Sequence, residues 1–216
     1  MRMNRLLLAA FAVLSALSVL SLGGCAGTVR GKAPVAVYDF GQPVRVGAGN
    51  AEAEKGGLAG RLALDVRAAP WLDGTGIDYR LAYGDPLRRS QYADSRWAAQ
   101  PALLLAQQLR RQIGFAAVDS VAADCVLRVE LQEFSQVFAT PLASQGVLQG
   151  QVSLIDGKRR LIAGQALNIE RPAPTPDAAG GVQALVAAGE ELGKQLAAWL
   201  DRLDRDGGLK TCRPVR

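Results

Sequence analysis

The last third of the chain carries the pattern that most restricts its fold. Val182, Leu185, Val186, Gly189, Leu192, Leu196, Trp199, Leu200 and Leu203 trace one stripe over about six helical turns. A helix with such a stripe has to bury it, and packing against a sheet explains it better than a membrane or partner surface. The sheet is legible in sets that alternate with period two: Leu62, Leu64 and Val66, then Leu127, Val129 and Leu131, then Leu148, Gly150, Val152 and Leu154. Asp156-Gly157-Lys158 is a turn, and Leu161 to Ile169 is the antiparallel partner it leads into. Phe134 breaks the parity of its strand, which predicts a bulge or bend near Glu133.

A second helix is predicted from Pro101, which is preorganised for the first helical position. Ala102, Leu105, Ala106, Leu109 and Ile113 recur at helical spacing, Arg110 and Arg111 complement the C-terminal dipole, and Gly114 ends it. Val35 to Phe40 reads as a first strand and Ile77 to Tyr83 as another, with a short partner around Leu87 to Tyr92. Pro172, Pro174 and Pro176 form a stiff linker, and Asp177 caps the long helix. Two main amphipathic helices on five to seven strands, one pair antiparallel, give an α/β domain with a mixed sheet.

The N-terminus is of a different kind. Arg2 and Arg5 precede an uncharged run from Leu6 to Leu22, the layout of a bacterial secretory signal. Leu22-Gly23-Gly24-Cys25 resembles the lipobox of bacterial lipoproteins, in which the cysteine receives a diacylglycerol thioether before cleavage on its N-terminal side. Residues 1–24 are therefore expected to be a lipoprotein signal peptide, with Cys25 lipidated and residues 25–34 a tether. Ala26, in place of Asp, favours the outer membrane under the bacterial sorting rule. Residues 35–216 form the domain, with a Gly-rich loop at 41–60 and a C-terminal tail at 204–216.

Composition matters at two points. The chain has 25 Lys+Arg against 20 Asp+Glu, and deleting residues 1–24 removes Arg2 and Arg5 and no acids, leaving +3. With no basic run interleaved with aromatics, no nucleic-acid partner is expected. The chain also has no His, which excludes Ser-His-Asp and Cys-His sites and His-ligated metals. Asp201, Asp204 and Asp206-Gly207 lack calcium-loop spacing, and Glu190 and Glu191 are adjacent and do not share a helix face. No enzyme activity, metal or cofactor is expected.

Cys125 and Cys212 would lie in the oxidising periplasm, where an even pair reads as a disulfide. Such a bond closes a loop worth roughly 4 to 5 kcal/mol in the chain-entropy model. The other reading is a buried free thiol at Cys125 and a loose tail at Cys212.

Several motifs in order carry a resemblance: the lipobox; Ile77-Asp78-Tyr79-Arg80; Tyr92-x4-Trp97-x3-Pro101 opening an Ala/Leu/Gln helix; Leu131-x2-Phe134; and a final Ala-rich helix ending in Ala198-Trp199-Leu200. Together they resemble the ABC-type transport auxiliary lipoproteins, the PqiC-type family, over about Pro34 to Leu203. The resemblance implies a fold similar to the N-terminal domain of TolB. It also implies an outer-membrane lipoprotein on the periplasmic face of a Gram-negative cell, working with an inner-membrane ABC transporter and an MCE-domain protein that carries lipid across the periplasm. Its role there would be docking, not catalysis. The alternative is an assembly or secretion lipoprotein partnering a β-barrel or pore, as in lipopolysaccharide or curli export. Tyr79, Arg80, Tyr92 and Trp97 fall on the family pattern and are partner-binding candidates. Tyr79 and Trp97 also read as buried aromatics, and Arg80 as a residue ordering a turn through carbonyls. Trp71, in a turn between Pro70 and Asp73-Gly74, is the candidate expected to be exposed. Self-association is left open.

Overall fold

The computed structural model describes residues 34–41, 62–115 and 125–212. The expected signal segment, lipidation at Cys25, tether and Gly-rich loop, in residues 1–33 and 42–61, lie outside the described residues. From Val35 onward the described residues belong to one compact unit. In chain order its elements are β1 (Ala36–Tyr38), β2 (Leu62–Ala68), a 3-10 turn (Pro70–Leu72), β3 (Gly76–Leu81), β4 (Asp85–Trp97), α1 (Pro101–Ile113), β5 (Cys125–Thr140), β6 (Ala143–Asp156), β7 (Leu161–Pro172) and α2 (Ala178–Arg205).

The strands make one mixed sheet of seven, ordered β1-β4-β3-β5-β6-β7, with β2 also on β5. The fold is thus α/β, a mixed sheet with two helices packed on it, as the sequence patterns predict. β5 is its spine. One edge of β5 pairs antiparallel with β6 over almost its whole length. The other edge is shared by two parallel strands in tandem, β2 against Cys125 to Leu131 and β3 against Gln136 to Phe138. Between them the chain leaves the edge through the 3-10 turn, where Ala69 N donates to Leu131 O. That gap coincides with the expected bulge: Leu131 pairs with Gly150 and Glu133 with Gln149, so Gln132 is the extra residue. The bulge reverses parity, so Leu131 and Phe134 both face the core.

The partner expected around Leu87 to Tyr92 is in fact the much longer β4, which needs two register shifts against β3 to stay in the sheet. These shifts scramble the alternation that would have announced its length. Likewise β5 and β6 run on to a tight turn at Pro141-Leu142, because Thr140 pairs with Ala143.

α1 begins with Pro101 and ends at Gly114, whose φ of 85° needs a glycine. Asp177 Oδ1 accepts from Gly180 N and caps α2. Both helices cover one face of the sheet, burying Leu105 and Leu109 of α1 and Leu185, Leu192 and Leu196 of α2 against Leu127, Val129, Leu148 and Leu154. At the foot of the sheet Cys125 and Cys212 are joined by a disulfide, fastening the segment after α2 to the first residue of β5.

Candidate functional site

The face of the sheet away from the helices carries two ion clusters built from strand residues. Asp65 Oδ2 accepts from Arg67 Nε and Arg128 Nε, each at 3.0 Å, across β2 and β5. Farther along, Glu133 Oε2 accepts from Arg80 Nη2 and Arg89 Nη2, both at 2.9 Å, and Arg89 Nη1 also reaches Asp78 Oδ2 at 2.7 Å. The bulge at Gln132 turns Glu133 toward this face, where it ties β3, β4 and β5 together. Each of these four arginines has a carboxylate partner, so the face is patterned and not a one-sign field.

Trp71 stands between the two ion clusters. The 3-10 turn lifts it out of the sheet edge, and its residue remains 60% exposed. It is nonetheless fixed, because the indole Nε1 donates to Gln132 O at the bulge, 3.2 Å away. Arg67, Glu130 and Gln132 line a shallow pocket beside it. A fixed, exposed indole beside Arg67 and Glu130 is the composition of an interface anchor, since it loses little conformational entropy on contact.

The other candidates lie deeper. Trp97 is 1% exposed and packs against Phe40 and Phe134, with ring centroids 5.3 and 5.9 Å away. Tyr79 is half-buried between Tyr92 and Phe138, at 4.8 and 6.2 Å. Tyr92 donates its hydroxyl to Gln136 Oε1 at 2.8 Å, and Gln136 Nε2 donates on to Ser144 Oγ. Burial, then the neighbouring Tyr79 and Asp177, push the Tyr92 phenol up to about 12. Besides binding Glu133, Arg80 Nη1 donates to the carbonyls of Pro86 and Leu87, so it orders the β3–β4 connection. Sequence reading missed Glu133, Asp78 and Arg89, which look like ordinary solvent-facing charges until the register brings them together.

The tandem arrangement of β2 and β3 on β5 and the two-helix cover invite comparison with known structures. The fold is similar to that of a DUF330 protein. This is protein XCC0632 from Xanthomonas campestris, at a TM-score of 0.63 and 20% identity, covering 79% of this chain and 98% of that one. A second, uncharacterized protein of known structure matches at a TM-score of 0.59 and 15% identity, over 77% of this chain and 99% of that one. At these identities the likeness is one of fold. No family model and no curated protein matches the chain.

Among the described residues no cluster of carboxylate or cysteine side chains is arranged to hold a metal ion. No described helix is long and apolar enough to cross a membrane. What the geometry offers is a contact surface on a braced sheet.

Proposed function

We propose that this chain is an outer-membrane lipoprotein, anchored through Cys25, that serves as an auxiliary docking component of an ABC/MCE-type lipid transport system spanning the periplasm. The observation that carries the docking role is Trp71, an exposed indole held in place by the β5 bulge between two arginine–carboxylate clusters. The lipobox supplies the membrane, and DUF330, the family of the structural neighbour, is the PqiC-type family that the sequence motifs resemble. The face is built for a protein partner: it is polar and ion-paired around one large aromatic anchor, the usual anatomy of a non-obligate interface.

In-cell photo-crosslinking from Trp71 and Val137 tests this reading. Capture of an MCE-domain or ABC-transporter component supports it. Capture of a β-barrel or a secretion pore replaces it with the assembly-lipoprotein alternative, and capture of neither refutes it. The anchor is tested separately: Cys25→Ala should leave the outer-membrane fraction.

A further inference from the structure

The turns joining β3 to β4 and β5 to β6 sit side by side at one end of the sheet. Leu81 pairs with Phe138, and Ala82 N donates to Phe138 O at 2.9 Å, binding the first turn to the last residues of β5. Turn positions are ordinarily taken by polar residues, Gly or Pro. Here the β5–β6 turn presents Leu142 at 84% exposure and the β3–β4 turn presents an exposed Tyr83, with Leu81 at the end of β3 exposed and Leu87, two residues into β4, at 89%. We infer that this tip is a membrane-contact surface, whose leucines enter the lipid surface to which the chain is tethered.

The direction and length of the tether select the bilayer as the occupant. β1 is parallel to β4, β4 antiparallel to β3, and β3 parallel to β5. The N-terminal end of β1 at Ala36 therefore points toward the end of the sheet that carries the two turns. Val37 and Gly76 are both level with Arg96, and Leu81 is level with Asp85, so the tip lies five β3 residues beyond β1. At about 3.3 Å per residue this is about 17 Å. The nine Cα–Cα steps from Cys25 to Pro34 span at most about 30 Å. The tether is thus long enough for a lipid on Cys25 to bring this end of the domain to the bilayer, while the turn between β6 and β7, which ends at Leu161, is at the opposite end of the sheet. Three leucines with a tyrosine beside them suit the interfacial zone, where an aromatic ring lies at headgroup depth with its hydroxyl in water. Such a contact would fix the orientation of the Trp71 face relative to the membrane, which the acyl chains alone do not.

This inference rests on lipidation of Cys25, and the experiment separates the two. The full-length lipidated protein carries an environment-sensitive fluorophore at Leu142→Cys or Tyr83→Cys, with Leu161→Cys as the reference. It is reconstituted in vesicles of phosphatidylethanolamine and phosphatidylglycerol containing a lipid with a quencher in its acyl chain. Flotation reports the anchor; quenching reports the tip. The expected result is flotation of all variants, with the labels at 142 and 83 quenched several-fold more than the label at 161. Flotation with equal quenching at all three positions overturns the tip contact and leaves the anchor intact. Failure to float removes the lipoprotein reading and the tip contact with it. A protein crosslinked to Leu142 in cells, with no quenching in vesicles, also overturns the inference in favour of a protein occupant.

Discussion

The side-chain amide of Gln108 lies directly over Gly189. Its Nε2 donates to Val186 O on α2 at 3.3 Å, and its Oε1 occupies the space a Cβ at Gly189 would need. One turn on, Gln112 repeats the arrangement over Gly193, with Nε2 donating to Glu190 O at 2.8 Å. Both glutamines are buried, and their Oε1 atoms have no conventional donor and lie against the glycine positions, where Cα–H groups are the neighbours. Glycine's missing side chain is what lets α1 approach α2 this closely with polar side chains at the seam.

Gly189→Ala is therefore expected to destabilise the fold by about 1 to 3 kcal/mol, despite alanine's better helix propensity. Gln108 would have to give up its bond to Val186 O. The pair Gly189→Ala and Gln108→Ala should be less destabilising than the two single losses added together. A double-mutant cycle by urea unfolding checks this, and additive losses would show that the two residues do not interact.

Removing the disulfide by replacing Cys125 and Cys212 with alanine should lower stability by about 2 to 5 kcal/mol, given a sequence separation of 87. The effect should be largest at the segment around Leu209, which packs in the core after α2. Hydrogen exchange should show that segment opening before the body of α2 does.

Glu133 is shared by two guanidiniums in a partly buried site, so Glu133→Gln leaves Arg80 without a carboxylate partner and Arg89 with Asp78 alone. The expected cost is about 2 to 4 kcal/mol. Arg67→Ala, at an exposed pair, should cost under about 1 kcal/mol. Denaturant titration of the two variants side by side tests whether the bulge residue is the keystone of this face.

The Tyr92 phenol titrates near 12 in the folded chain against 10.0 for a free phenol, so the native state holds its proton more tightly than the unfolded state does. Its contribution to stability is complete below about pH 10 and is lost as the pH rises to about 12. Tyr92→Phe should cost about 1 kcal/mol at neutral pH through the lost bond to Gln136. The variant should also show a shallower loss of stability in that alkaline window. Equal slopes for the two proteins would exclude Tyr92 as the group responsible.

Much of the architecture was legible because its causes are local. Pro101 and Gly114 mark the ends of α1, Asp177 caps α2, and the parity break at Phe134 announced the β5 bulge. The exposure of Trp71 followed from its place in a turn. The glutamines were not legible: Gln108 and Gln112 fall outside the apolar stripe of α1, and the glycines that receive them lie on another helix, with the partner carbonyls 78 residues away. The apolar tip was equally hidden, because Leu87 and Leu142 look unremarkable singly and come to one end of the sheet only when β3 pairs with β5.

The sequence by itself determined that two amphipathic helices lie on a mixed sheet, which apolar stripes of α1, α2, β2, β5 and β6 are buried, and which two cysteines remain to be joined, because periodicity and end signals act within a few residues. Only the tertiary structure decided that β2 and β3 share one edge of β5, that Glu133 rather than any family-pattern residue ties three strands together, and that a Gln–Gly seam joins the helices. Those outcomes depend on edges and side chains meeting across long stretches of chain, where the energy of a polar group is set by the partner it finds and not by its neighbours in sequence.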